Sequence, residues 1–351
     1  MTAKPNSHKP FIIPIFLPHA GCPHRCVFCD QSLITGVRST RPQKDVCDQI
    51  EAFLKFKTAR RNRIQIAFFG GNFLGMPADK INRLLAEAAE YVKSGRVNSI
   101  RFSTRPDTID RRRLDPIKNF PVSTIELGVQ SMDERVLSAT KRGHSALETE
   151  KAIERLKELN YEIGVQLMVG LPGDTPEQSI ASAQRVASLK PDFIRIYPTV
   201  VLAGSPLADW YRKGDYVPLS MESAVSQTKK LYLLFKNENI RVIRMGLQAS
   251  VDLENGSTIL AGPYHPAFGH LVYSEVFLDM AIAEMESSNS TRQTIRLHVH
   301  PRSVSKMSGL KNRNIETLRR NFNLQSVEIL PDESLKEDQI LFCDPVTDFR
   351  S

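Results

Sequence analysis

Cysteine is scarce in this chain: five residues in 351, an odd number. An odd count with no secretory leader rules out a fully paired disulfide framework and points to a reducing compartment. No apolar run approaches the ~20 residues that cross a bilayer. Met1 to Pro10 is polar, carries Lys4 and Lys9, and lacks the apolar centre of a signal peptide. Residues 1–10 are expected to be a flexible arm, the location cytoplasmic, and no membrane partner is expected. A second cysteine pair or a histidine pair, the mark of a zinc ribbon, is also missing. What remains is an ordinary globular composition, 41% hydrophobic and 25% charged, with a net charge of +8 that favours polyanionic partners.

Three of the five cysteines crowd into one stretch. Cys22, Cys26 and Cys29 lie between Pro18 and Ser32, just after the apolar run Phe11 to Leu17. Zinc would need a fourth ligand, which His19, His24 or Cys47 could supply. Three thiolates alone match a four-iron cluster that keeps one iron open for chemistry, and iron–sulfur clusters favour such tight runs. Cys47 falls within a helical pattern from Gln43 to Lys57, as a small buried residue. Cys343 has no evident role.

Further along, apolar β-branched runs alternate with helical patterns. Strands are expected at Phe11–Leu17, Arg63–Phe69, Asn98–Thr104, Ser123–Gln130, Glu162–Gly170 and Phe193–Tyr197. Helices are expected from Pro77 to Val92, Asp110 to Lys118, Ser131 to Thr140, Ala146 to Leu159 and Thr175 to Leu189, the last with Thr175 and Pro176 as cap and first turn. Six such units imply a parallel sheet whose strands are buried on both faces. Periodicity alone fits a doubly wound sheet and a barrel equally.

The spacing Cys22-x3-Cys26-x2-Cys29, with Phe28 before the last cysteine, resembles the signature of the radical S-adenosylmethionine superfamily. That resemblance implies an α/β fold, a partial (βα)6 TIM-like barrel. It implies a [4Fe-4S] cluster held by Cys22, Cys26 and Cys29, with S-adenosylmethionine on the fourth iron. It also implies an electron donor such as flavodoxin or ferredoxin. Reductive cleavage of the cofactor would give a 5′-deoxyadenosyl radical that abstracts hydrogen from a substrate. Phe28 would sit near the adenine, and Gly70, Gly71 and Asn72 near the methionine amino group. Ser103 and Arg105 would meet the methionine carboxylate or ribose. The run Glu126-Leu-Gly-Val-Gln130-Ser resembles relatives such as oxygen-independent coproporphyrinogen oxidase and makes Gln130 and Arg142 cofactor contacts. Glu126 and Gln130 are expected on one inward face, with Arg142 as partner for the Glu126 carboxylate. Gly170-Leu171-Pro-Gly-Asp-Thr would support the adenine, and Tyr197-Pro-Thr would close the pocket.

A closer branch is suggested by Ile196-Tyr-Pro-Thr, Gly204-Ser-Pro-Leu, Trp210, Gly214-Asp-Tyr and Arg244-Met-Gly-Leu-Gln, which resemble the elongator catalytic subunit. That branch modifies wobble uridines of tRNA. Its members have a longer gap between their first two cluster cysteines and a C-terminal acetyltransferase domain that this chain is too short to hold. The acetyl-coenzyme A-dependent reaction is therefore not carried over.

Residues 11–285 are expected to form the barrel with its extension, with the boundary at the polar run Glu286–Ser290. Residues 291–351 are expected to be a small basic α+β unit. There a turn, Lys306-Met-Ser-Gly-Leu-Lys-Asn312, between helical pieces resembles the clamp of RNA-binding KH modules. Arg292, Arg296, Arg302, Lys306, Lys311, Arg313, Arg319 and Arg320 face one acid, Glu316, in sequence. The expected function is radical chemistry on RNA, tRNA in particular. The alternatives are the same chemistry on a small metabolite or peptide, and an RNA-binding protein with a structural cluster.

Overall fold

The computed structural model describes residues 10–343 except 24, 32, 34–45, 58–62, 249–252, 254–257 and 289–292. The expected arm, His24 and Arg292 lie outside the described residues. Seven strands form one parallel sheet: β1 (Phe11–Phe16), β2 (Ile64–Phe69), β3 (Ser99–Thr104), β4 (Val122–Gln130), β5 (Glu162–Val169), β6 (Phe193–Pro198) and β8 (Arg241–Met245). They pair in that order, each strand beside the next. Consecutive parallel neighbours joined by helices give the partial TIM-like barrel that the family resemblance implies. β8 extends it by one strand beyond the expected six. A two-stranded antiparallel ribbon, β7 (Val201–Leu202) with β9 (Ile259–Ala261), lies beside it.

One parity of each strand is apolar and fully buried: Ile13 and Ile15, Ile66 and Phe68, Ile100 and Phe102, Ile125 and Leu127, Val165 and Leu167, Ile194 and Ile196. These pack under the helices. Helix Ala78–Lys93, for example, buries Ile81, Leu84, Leu85 and Ala88 at helical spacing. The other parity carries a polar or charged group in each of β2 to β6, Gln65, Arg101, Glu126, Gln166 and Arg195, all joined in one hydrogen-bonded network. The strands are thus buried on both faces as expected, but on the concave side the buried groups are polar and charged and satisfy one another.

The helices start where local chemistry provides caps. Ser145 with Glu148, and Thr175 with Gln178, each close a capping box, and Pro176 occupies the first turn after Thr175.

The C-terminal unit places β10 (Thr294–Val299) between parallel β11 (Ser326–Pro331) and antiparallel β12 (Ile340–Cys343). Its apolar cluster joins Ile295, Leu297, Val299, Met307 and Leu318 to Phe277, Leu278, Ala281 and Met285. Those last four belong to helix Phe268–Ser288, which also includes Glu286 to Ser288 of the expected linker. The core of the small unit thus begins inside that helix, because its far half has an apolar stripe that the barrel does not cover.

Candidate functional site

The cysteine loop follows β1 at the carboxyl end of the sheet and is fixed on several sides. The Val27 N–H donates to the Thr140 carbonyl at 3.2 Å, and the Leu207 N–H donates to the Val27 carbonyl at 2.8 Å. The Gln31 side-chain oxygen accepts from the N–H groups of both His19 and Gly71, each at 2.5 Å. At Gly71, with φ of +51°, an added Cβ would lie 2.3 Å from the Ala20 carbonyl oxygen. Gly70, with φ of +82°, would bring one to 3.2 Å from the Leu17 carbonyl oxygen. Only glycine lets the β2 end come this close to the loop.

Cys26 is buried, while Cys22 and Cys29 are half-buried by side-chain exposure. Burial pushes the Cys29 thiol up to about 12, with Cys26 and Cys22 adding to it, and burial and Cys26 raise Cys22. Burial first, and the neighbouring thiols second, favour the neutral form of Cys22 and Cys29, and a cationic centre among the sulfurs would favour their thiolates. An iron–sulfur cluster is such a centre, and this donor set fits it. Among the described residues no three His, Cys, Asp or Glu side chains converge on a single metal ion. A cubane cluster spreads its thiolates wider than one tetrahedral ion does. The other described residues weighed as zinc ligands, Cys47 and His19, are engaged elsewhere. Cys47 lies against Tyr91, and His19 Nε2 accepts from the Gln31 N–H at 3.1 Å.

Two arginines flank the thiols. Arg142 donates from Nη1 to the Cys26 sulfur at 3.0 Å and from Nη2 to the Gly128 carbonyl. Arg105 donates to the Arg142 carbonyl and forms a two-pronged pair with Asp107 at 2.8 and 3.2 Å. Both arginines lower the Cys22 thiol against the dominant effect of burial. Gln130, at φ +72° beside a bulge in the β4–β5 register, is 9% exposed. Its amide nitrogen lies over Gly128, and its oxygen has no hydrogen-bond partner. Cys26, Arg105, Gln130 and Arg142 are therefore neighbours, as the sequence motifs imply.

Other expected contacts are placed differently. The Asn72 side chain is buried and both its polar atoms are bonded within the protein. Its oxygen accepts from Thr104 Oγ1 at 2.6 Å, the Arg105 N–H at 3.0 Å and Thr108 Oγ1 at 3.0 Å, and its nitrogen donates to the Gly21 carbonyl at 3.1 Å. It ties the cysteine loop to the end of β3. Ser103 accepts from Gln166 at 3.4 Å. Phe28 packs on the cluster of Val201, Leu207 and Tyr216, beside Trp210. Leu171 lines a cavity of about 220 Å³ with Trp210 and Tyr216, so the two expected adenine neighbours meet the same aromatic wall. The expected Glu126–Arg142 pair does not form. Glu126, fully buried, is held by Arg195 at 2.7 Å and Arg101 at 2.5 Å, with Gln166 at 3.1 Å. Burial alone would raise the Glu126 carboxyl, but Arg195 and Arg101 overcome it, and the net direction is down.

Arg101, Gln166 and Arg195 were not singled out from the sequence. The signal was there: a polar residue at every second place of otherwise apolar strands.

The Radical SAM superfamily profile matches residues 16–186, and the Radical_SAM C-terminal domain profile matches residues 191–277. An uncharacterized protein of Methanocaldococcus jannaschii is 27% identical over 233 residues, 64% of this chain and 71% of that protein. A tRNA uridine(34) acetyltransferase of Dehalococcoides mccartyi is 25% identical over 230 residues, 56% of this chain and 50% of its own length. The chain spans about half of such acetyltransferases. The fold is also that of the archaeal Methanocaldococcus infernus Elp3 with an N-terminal deletion, at a TM-score of 0.59 and 21% identity, over 80% of this chain and 63% of that one.

Proposed function

We propose, from the premise that this chain belongs to the radical S-adenosylmethionine superfamily and is an enzyme, that it modifies RNA, with tRNA as the substrate class. The observation that supports catalysis most directly is the 3.0 Å hydrogen bond from Arg142 to Cys26 at the carboxyl end of the sheet. Family membership implies a [4Fe-4S] cluster and S-adenosylmethionine, which when bound supply reductive cleavage of a sulfonium and hydrogen-atom abstraction.

Cys22, Cys26 and Cys29 would hold the cluster. Arg142 and Arg105 bring positive charge to the thiolates. Gln130 offers a buried, unpaired carbonyl oxygen, ready to accept from an ammonium or hydroxyl of a ligand. Phe28 and Leu171, with Trp210 and Tyr216, offer an apolar wall for a flat base. Gly70, Gly71 and the Asn72 backbone hold the loop against β2. Reduction would come from a donor such as flavodoxin or ferredoxin.

The RNA reading is supported by the relatives and by the tip of the C-terminal unit. Its turn survives the loss of a second glycine, because Lys311 and Asn312 adopt left-handed φ of +53° and +62°. The basic cluster is smaller than the sequence suggests. Arg296 pairs with Glu328 at 2.8 Å and Arg302 with Glu337 at 2.9 Å, while Lys311, Arg319 and Arg320 stay exposed with no ion pair among the described residues. Among those residues no helix is long and apolar enough to cross a membrane.

Anaerobic reconstitution followed by dithionite reduction tests the reading. The expected outcome is 5′-deoxyadenosine formation that rises when tRNA is added. A protein that holds iron but yields no 5′-deoxyadenosine would leave only the binding role.

A further inference from the structure

The concave face of the barrel carries arginines from three of its strands. Arg101, Arg195 and Arg244 are there, and Glu126 is the carboxylate that Arg101 and Arg195 meet. Arg101 and Arg195 both spend themselves on Glu126. Arg244 is the Cα partner of Arg195 across β6 and β8, and it has no carboxylate partner among the described residues. Its Nε donates only to the Gly246 carbonyl, at 3.3 Å. Burial lowers its pKa, and the neighbouring Arg195 adds to this while Tyr197 opposes it. Tyr197, two residues after Arg195 and on the same strand face, lies close enough to both the Arg195 and the Arg244 guanidinium to act on them electrostatically.

A half-buried guanidinium without a counter-ion is costly, and a protein retains one where an anion arrives. The planar fork of arginine matches a carboxylate or phosphate edge, and a tyrosine hydroxyl can add a third donor. Facing these groups is carbon. Arg195 lies over the Phe69 ring at 5.5 Å, and Phe69 lies 6.3 Å from Phe16. An occupant of this space would combine an apolar or aromatic body with an anionic end.

We propose that Arg244, Arg195 and Tyr197 form an anion subsite on the β6–β8 wall of the barrel, which receives a carboxylate or phosphate group of the molecule that enters it. The inference rests on the reading of the barrel interior as the reaction chamber, and it adds the chemical class of what must fit there.

The test uses anaerobically reconstituted full-length protein and follows thermal unfolding in sodium phosphate or sodium succinate against sodium chloride at equal ionic strength. Phosphate or succinate should raise the midpoint by about 2–4 °C beyond chloride. Arg244→Gln should abolish that rise, Tyr197→Phe should reduce it, and Arg244→Lys should keep part of it. A rise with phosphate alone identifies a phosphate ester as the source; a rise with succinate alone identifies a carboxylic acid. No rise beyond chloride overturns the subsite, as does a full rise in Arg244→Gln or, should that variant not fold, in Tyr197→Phe. Formation of 5′-deoxyadenosine by the unmutated preparation is measured separately, so failure of the radical reading is seen independently of anion binding.

Discussion

The Arg142 guanidinium reaches the Cys26 sulfur at 3.0 Å across 116 residues of sequence. The same side chain holds the Gly128 carbonyl, and its own carbonyl receives Arg105. One residue therefore joins the cysteine loop, β4 and the end of β3. A fixed cation beside a thiolate ligand also makes an added electron less costly.

Arg142→Ala should accordingly retain iron but lose roughly 10- to 100-fold in cofactor cleavage, the usual cost of removing a group that orients a metal ligand. Its cluster should also be harder to reduce. Iron content, 5′-deoxyadenosine yield and a reductive titration separate these effects. A variant with unchanged yield and potential would remove Arg142 from the site.

Asn72→Ala should act on stability. It would leave the buried Arg105 N–H and the Gly21 carbonyl without partners. At ~1–3 kcal/mol for each such group, a loss of about 3 kcal/mol is expected in denaturant unfolding. Asn72→Asp, which keeps the acceptor and loses the donor, should cost less. Equal stability of all three proteins would contradict the tie between the cysteine loop and β3.

Much of the layout could be read in advance. The positions of the strands along the chain, the cysteine run and the glycine pair all follow from local pattern, because each is a matter of spacing within one short segment. The order of the strands in the sheet comes from the family resemblance. The partners of Glu126 could not be read that way. They come from β3 and β6, and choosing between Arg101, Arg142 and Arg195 requires the register that folding sets. Asn72 is a similar case. Its place at a strand end suits ligand contact, and only the three-dimensional position of Thr104 and Thr108 shows that its side-chain oxygen also braces β3. Charge counted along the C-terminal segment misled, since Glu328 and Glu337 meet arginines from which they are far in sequence.

Glu126→Gln tests the interior network. Replacing the carboxylate leaves Arg101 and Arg195 facing each other with no counter-ion, at a cost of roughly 3–5 kcal/mol. The pH dependence has a definite sign. The folded Glu126 carboxyl lies below its ordinary value of 4.5. Its contribution is thus complete above that value and is lost as pH falls through the folded pKa. The stability gap between wild type and Glu126→Gln should be widest near neutral pH and shrink on acidification below about 4.5. A gap that widened on acidification would refute the assignment.

Asp174 behaves in the opposite sense. Burial pushes its carboxyl from 3.8 up to about 6. Above pH 6 both the folded and unfolded chains carry the charge, and the fold bears the full penalty. Below about 4 neither does. Asp174→Asn should therefore stabilise the protein at pH 7.5, by about 2–3 kcal/mol, and do little at pH 4. The Ser179 hydroxyl, which donates to Asp174 at 2.6 Å, can still donate to an amide oxygen. Unfolding curves at the two pH values check this, and a destabilised variant at pH 7.5 would show that the charge is needed.

The exposed tip of the C-terminal unit carries the RNA reading. Lys311 sits in the left-handed turn, and Arg319 and Arg320 lie in the last turn of helix Arg313–Asn321. Cations at these places can meet phosphates without breaking an existing ion pair, which Arg296 and Arg302 cannot do. Lys311→Glu combined with Arg320→Glu should weaken tRNA binding about tenfold or more. It should also flatten the slope of log affinity against log salt by about one for each phosphate that is no longer neutralised. Neither residue touches the cysteines, so cofactor cleavage without RNA should be unaffected. Binding isotherms at several salt concentrations decide the matter. An unchanged affinity with an unchanged salt slope would move the RNA interface off this tip, even if the barrel still turned over its cofactor.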